Sequence, residues 1–131
     1  MKSLVTGGLG FVGSNLVDML IEAGDEVVVI DNMSSLSAKM EYQNPKAEYH
    51  ITDVDRINSR LMGYQFDRIF HLAAKARIQP SFEDPAGYFW SNAMGTAEVL
   101  DFARLSKSGI VVYATTSSKN HGSSRITPYT F

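Results

Sequence analysis

Short apolar runs alternate with longer stretches of helical period along the chain. The runs fall at 2–6, 26–30, 47–51, 68–72 and 109–115, and each carries isoleucine or valine. That composition fits strands buried on both faces of a parallel sheet. After the first run, Phe11, Val12, Leu16, Val17, Leu20 and Ile21 recur at i, i+4 and i+8. The spacing predicts a helix over 11–23, stopped by Gly24 as a C-cap. Asn44-Pro45 marks a turn before the third run. A short helix is expected after Asp53, ending near Gly63. Asp84-Pro85 reads as an N-cap residue with proline at the first helical position, opening a long helix to about Lys107, with Gly109 just past it. Alternating strands and helices imply right-handed βαβ crossovers, so the expected fold is α/β, a doubly wound parallel sheet of about five strands. Ligands of such sheets sit outside the carboxyl ends of the strands, at the point where the strand order reverses.

The first strand runs directly into glycines spaced G-x-x-G-x-x-G, at Gly7, Gly10 and Gly13. The first allows a tight exit from the strand, the second lets backbone approach a pyrophosphate, and the third lets the helix pack close to the sheet. Unpaired N–H groups and the positive end of the dipole then face the anion. Asp31 closes the second strand about 20 residues beyond the glycines, placed to accept the hydroxyls of an adenosine ribose. The bland alternative is a βαβ unit whose glycines serve only turns and whose Asp31 caps a loop.

At 131 residues the chain makes one domain at most, 1–131, and is long enough to bury a core. A net charge of −2 gives no sign of a nucleic-acid or membrane surface. Without cysteine there is no thiolate metal site, and His50, His71 and His121 lack ligand spacing, so no metal is expected. No apolar run approaches a membrane span, and a cytoplasmic location is the default expectation.

Six segments carry a resemblance: Thr6-Gly-Gly-Leu-Gly-Phe-Val-Gly-Ser, Val29-Ile-Asp-Asn, Thr52-Asp-Val, His71-Leu-Ala-Ala-Lys-Ala, Ser91-Asn-Ala-Met-Gly-Thr and Val112-Tyr-Ala-Thr-Thr-Ser-Ser. With these the chain resembles the extended short-chain dehydrogenase/reductases, and more narrowly their NAD-dependent sugar-nucleotide epimerase/dehydratase family. The resemblance implies a Rossmann-type domain binding NAD, with Gly7, Gly10, Phe11, Val12 and Gly13 at the pyrophosphate. Asp31 and Asn32 would hold the adenosine ribose, and the carboxylate would repel a 2′-phosphate. Asp53 would accept from the adenine amino group beside the Val54 backbone, or cap the next helix, or both. Leu72 would line the cofactor site, the small Ala73 and Ala74 would leave room for a cofactor ribose, Lys75 would approach the nicotinamide ribose and phosphates, and Asn92 would support the site. His71 reads as a satisfied core histidine, and Tyr88, Phe89 and Trp90 as packing aromatics.

The resemblance also implies a catalytic end. Thr116 or Ser117 would hydrogen-bond the substrate hydroxyl, Thr116 when aligned from the strand and Ser117 when aligned back from Gly122. Tyr129, preceded by Pro128, would be the base of a Tyr-x-x-x-Lys motif whose lysine falls two residues past Phe131. Free tyrosine titrates near about 10, so a lysine ammonium and a positive nicotinamide would be needed to stabilise its phenolate. The stretch from Thr116 to Tyr129 is shorter than the family's usual one. The implied partner is a nucleotide-diphosphate sugar, and the implied reaction a transient oxidation of a sugar hydroxyl. The competing reading is a non-catalytic dinucleotide-sensing module. The family's C-terminal substrate domain is absent from the 131 residues, which are expected to bind cofactor without turnover. Its further strands and helix, often paired across a homodimer, imply that Ile110, Val111 and Val112 lie on an uncovered edge and drive self-association of these residues alone.

Overall fold

The computed structural model describes residues 1–115. Five parallel strands form one sheet in the order β3-β2-β1-β4-β5. They are β1 (Lys2–Thr6), β2 (Glu26–Asp31), β3 (Glu48–Ile51), β4 (Arg68–His71) and β5 (Ile110–Tyr113). Helix α1 (Phe11–Glu22) links β1 to β2, and α2 (Ile57–Arg60) precedes β4. Between β4 and β5 the chain forms α3 (Ile78–Glu83), α4 (Pro85–Phe89), a π-helical turn (Trp90–Met94) and α5 (Gly95–Leu105).

Side-chain alternation along the inner strands builds two cores. Val5, Val27 and Val29 face Val17 and Leu20 of α1. Leu4, Val28, Ile30 and Ile69 face the other way, against Ile57, Leu61, Val99 and Phe102. This is the expected doubly wound sheet, with β1 at its centre. At the amino ends of the strands, buried Asp25 accepts from Ser3 Oγ at 2.6 Å and Arg68 at 2.6 Å and lies 3.3 Å from the N-terminal ammonium. Burial alone would raise the Asp25 carboxyl's pKa, but the bonds from Ser3 and Arg68 and the ammonium outweigh it and hold the pKa below its ordinary value.

Several expectations are corrected. The runs at 47–51 and 109–115 are not buried on both faces: β3 and β5 are the sheet's outer strands among the described residues, and no residue of either is fully buried. β5 is also shorter than its run: it spans Ile110–Tyr113, and past it Ala114 N–H makes one more bond to β4, to His71 O at 3.2 Å. Phe11 and Val12 lie outside the buried stripe of α1, 71% and 65% exposed, because they stand at the helix mouth rather than over the sheet. The long helix opens as expected at Asp84, whose side chain accepts from Gly87 N–H at 2.9 Å. It is interrupted by the π turn and stops at Leu105. The separate helix α3 has no counterpart among the expected elements. Phe89 and Trp90 are exposed rather than packed in the core.

Candidate functional site

The strand order reverses between β1 and β4. There, at the carboxyl ends of the strands, a groove of about 620 Å³ opens. The strand-to-helix turn forms its floor. Gly7 has φ +74°, and a Cβ on it would sit 2.8 Å from Ala73 N. Both the turn and the neighbouring strand exit therefore require glycine. Gly13 is more tightly enclosed, with a Cβ position 2.1 Å from Gly7 O. The helix thus begins in contact with the loop that feeds it. The first intrahelical bond is Ser14 N–H to Gly10 O at 2.9 Å, and no described hydrogen bond uses the amides of Phe11, Val12 or Gly13. Three free donors and the positive end of α1 meet at the groove.

Asp31 holds this loop from the tip of β2. One carboxylate oxygen accepts from Leu9 N–H at 2.9 Å and the other from Met33 N–H at 2.7 Å. The side chain is largely buried and still lines the groove. Asn32 donates to Asp53, joining the tips of β2 and the segment after β3. Asp53 makes no side-chain bond to the helical turn that follows it, so the capping role weighed for it is not found: Asn32 takes the oxygen instead.

The segment after β4 forms the opposite wall. Leu72, Ala73, Ala74 and Lys75 line the groove. Lys75 Nζ pairs with Asp84 at 3.0 Å and stands 5.4 Å from the centre of the Tyr88 ring. The Lys75 hydrogen bond, then the Gly87 amide, hold the Asp84 carboxyl below its usual range. Asn92 does not line the groove. Its amide brackets Lys75 instead, accepting from Lys75 N–H at 2.8 Å and donating to Lys75 O at 2.9 Å. His71 is buried as expected, and burial pushes its pKa below the ordinary value.

The groove therefore gathers every residue named from sequence for the cofactor except Asn92, which supports it from behind. Thr116, Ser117 and Tyr129 lie outside the described residues. Sequence reasoning missed the Ser34, Ser35 and Ser37 lining, and Trp90, Met94 and Glu98 on the helical side. The serine cluster directly after Asp31-Asn32 was a legible loop signal. The helical residues depend on the π turn, which no residue pattern announced. Among the described residues no cluster of acidic or histidine side chains could hold a metal ion, and no helix is long and apolar enough to cross a membrane.

A five-stranded doubly wound sheet with a glycine-floored groove at its switch point defines the class of Rossmann-type domains. Within it, residues 4–130 match the family model described as GDP-mannose 4,6 dehydratase, and the chain belongs to that family. It is 32% identical over 127 residues to UDP-glucose 4-epimerase of Mycolicibacterium smegmatis, a match that covers 93% of this chain and 41% of that protein. A crystal structure of UDP-galactose 4-epimerase superposes with a TM-score of 0.81 at 42% identity, covering 90% of this chain and 39% of that one. The UDP-glucose 4-epimerase of Thermus thermophilus in complex with NAD superposes with a TM-score of 0.78 at 32% identity, covering 88% and 38%. The chain thus spans about two fifths of the length of the relatives it matches.

Proposed function

We propose that the chain is the NAD-binding part of a nucleotide-sugar epimerase or dehydratase. The observation that carries this reading is Asp31. A largely buried carboxylate faces the groove beside a glycine turn that presents three free amides. Such a pair suits a dinucleotide with a free ribose 2′-hydroxyl and repels one bearing a 2′-phosphate. Gly10, where a Cβ would meet only Gly7 O at 3.4 Å and otherwise enter the groove, and the small Ala73 and Ala74 wall fit the same group. The NAD complex of the Thermus relative supports the choice of cofactor.

In this reading the amides of Phe11, Val12 and Gly13 hold the pyrophosphate. Asp31 and Asn32 hold the adenosine ribose, and Asp53 and Val54 flank the adenine. Leu72, Ala73 and Ala74 admit the second ribose, and Lys75 meets the phosphates. When bound, NAD supplies a hydride acceptor. Thr116 or Ser117 orients the substrate hydroxyl, and Tyr129 removes its proton. The tyrosine needs a cation to lower its pKa from about 10, so a lysine two residues past Phe131 in the parent gene would favour the enzyme over a non-catalytic sensing module. The sugar, its nucleotide and any homodimer belong to the whole protein.

Calorimetric titration with NAD and NADP tests the reading. NAD should bind more tightly, and Asp31→Ala should weaken NAD and erase the preference. Equal affinity of the wild-type chain for both, or none for either in a folded sample, overturns it.

A further inference from the structure

Thr6 and His71 are register partners across β1 and β4, at the ends of the strands that flank the switch point. Thr6 Oγ1 lies 2.7 Å from His71 Nδ1 and accepts from Ala73 N–H at 3.2 Å. On the other side of the ring, His71 Nε2 lies 3.0 Å from Thr96 Oγ1. The Thr96 hydroxyl donates to Asn92 O at 2.6 Å, and the Asn92 amide brackets Lys75.

These distances fix the protons. Thr96 has one hydroxyl hydrogen, and Asn92 O takes it. His71 Nε2 must therefore carry the hydrogen that reaches Thr96. In a neutral ring Nδ1 is then the acceptor, and it takes the Thr6 hydroxyl hydrogen. The opposite tautomer would leave the Thr6 hydrogen without an acceptor and set the Nε2 lone pair against the Thr96 oxygen.

We propose that Thr6, His71, Thr96 and Asn92 form one hydrogen-bond circuit that positions the Ala73–Lys75 wall of the groove, with His71 a positioning residue held as the neutral Nε2–H tautomer. The circuit grips the wall at both ends, Ala73 through Thr6 and Lys75 through Asn92. It spans β1, β4 and the helical segment, so the wall's setting depends on all three. Burial of His71 favours the uncharged ring that the circuit needs. Its role in cofactor affinity rests on the dinucleotide reading of the groove.

Nitrogen-15 spectra of His71, amide exchange at Ala73 and Lys75, and NAD titration test it, with Thr96→Val and Thr96→Ser as the variants. The ring should carry hydrogen on Nε2 alone at neutral pH. Thr96→Val keeps the side-chain shape, and by removing both bonds of the hydroxyl, from His71 Nε2–H and to Asn92 O, it should speed exchange at both amides and weaken NAD about fivefold. Thr96→Ser should restore both. A ring protonated on Nδ1, or unchanged exchange in a folded Thr96→Val protein, overturns the circuit whether or not the chain binds NAD. Faster exchange with unaltered NAD affinity overturns its role at the groove. If wild-type protein binds no dinucleotide, the functional reading fails, and spectra and exchange still decide the circuit.

Discussion

Substituting Gly13 by alanine sets two opposed effects against each other. In an ordinary helix interior the change stabilises by about 1 kcal/mol, because glycine loses more backbone entropy on folding. Here the new methyl would lie 2.1 Å from Gly7 O and 2.7 Å from Gly8 Cα, where ordinary contact begins at 3.4 Å. Both neighbours are backbone, so no rotamer change relieves the clash, and α1 must retreat from the turn by more than about 1 Å. Backbone shifts of this kind cost about 1–3 kcal/mol and occasionally more. With contact this short the upper end applies, which leaves a net loss of about 2 kcal/mol after the propensity gain. For a domain of this size that lowers Tm by about 8 °C. Gly10→Ala is the control. Its Cβ position meets only Gly7 O, at 3.4 Å, and its φ of −74° is open to alanine. Its stability should stay within about 1 kcal/mol of wild type, while NAD affinity falls because the methyl enters the groove. Thermal and urea unfolding, followed by circular dichroism, measure the first effect, and calorimetric titration the second. A Gly13→Ala protein as stable as wild type would refute the close approach of helix and turn.

Asp25→Asn should cost about 2 kcal/mol. It breaks a buried carboxylate's bonds to Ser3 and Arg68, discounted because Arg68 and the N-terminus are partly exposed. Since the native pKa is lowered, Asp25's contribution is present above about pH 3.8 and lost as pH falls through the native value. Urea titrations from pH 6 to 2.5 should therefore be flatter in the variant. The depressed pKa of His71 acts in a different window. Its neutral form stabilises fully above about pH 6.5, and the benefit is lost as pH falls below that toward the native value, because the unfolded chain binds the proton first. His71→Gln should remove that slope between pH 7 and 5. The outer strand β5 exposes Ile110, Val112 and Tyr113, so light scattering of the 131 residues alone should show association that grows with concentration. A monodisperse monomer would contradict it.

The sheet was legible because burial on both faces leaves strong local patterns: β1, β2 and β4 are short, branched and bounded by turns. The groove was legible for a related reason, since glycine requirements and a strand-end carboxylate are read directly from residue type. What stayed hidden depends on partners distant in sequence. Nothing around Asp53 shows that Asn32 will take its oxygen, 21 residues away. Nothing in Ser91-Asn92-Ala93 shows that the helix widens there for one turn. Phe11, Val12 and Trp90 have the chemistry of core residues and fit the apolar faces of their helices by spacing. Their exposure at the groove follows from where the helix mouth stands, a tertiary fact.

The Trp90–Met94 turn closes with Gly95 N–H on Trp90 O, a bond one residue longer than the α-helical one. An extra residue advances a helix by about 100° of rotation. The helical segment is thus two shafts joined out of phase. The upstream shaft carries Asp84 and Tyr88 to Lys75, and the downstream shaft carries Val99 and Phe102 to the sheet. Removing one residue from the coupling would yield a more regular helix with its first half dialled away from the lysine. A single gap between this chain and a relative at these positions is therefore an angular change at the wall of the groove, while the core packing of Val99 and Phe102 keeps its setting.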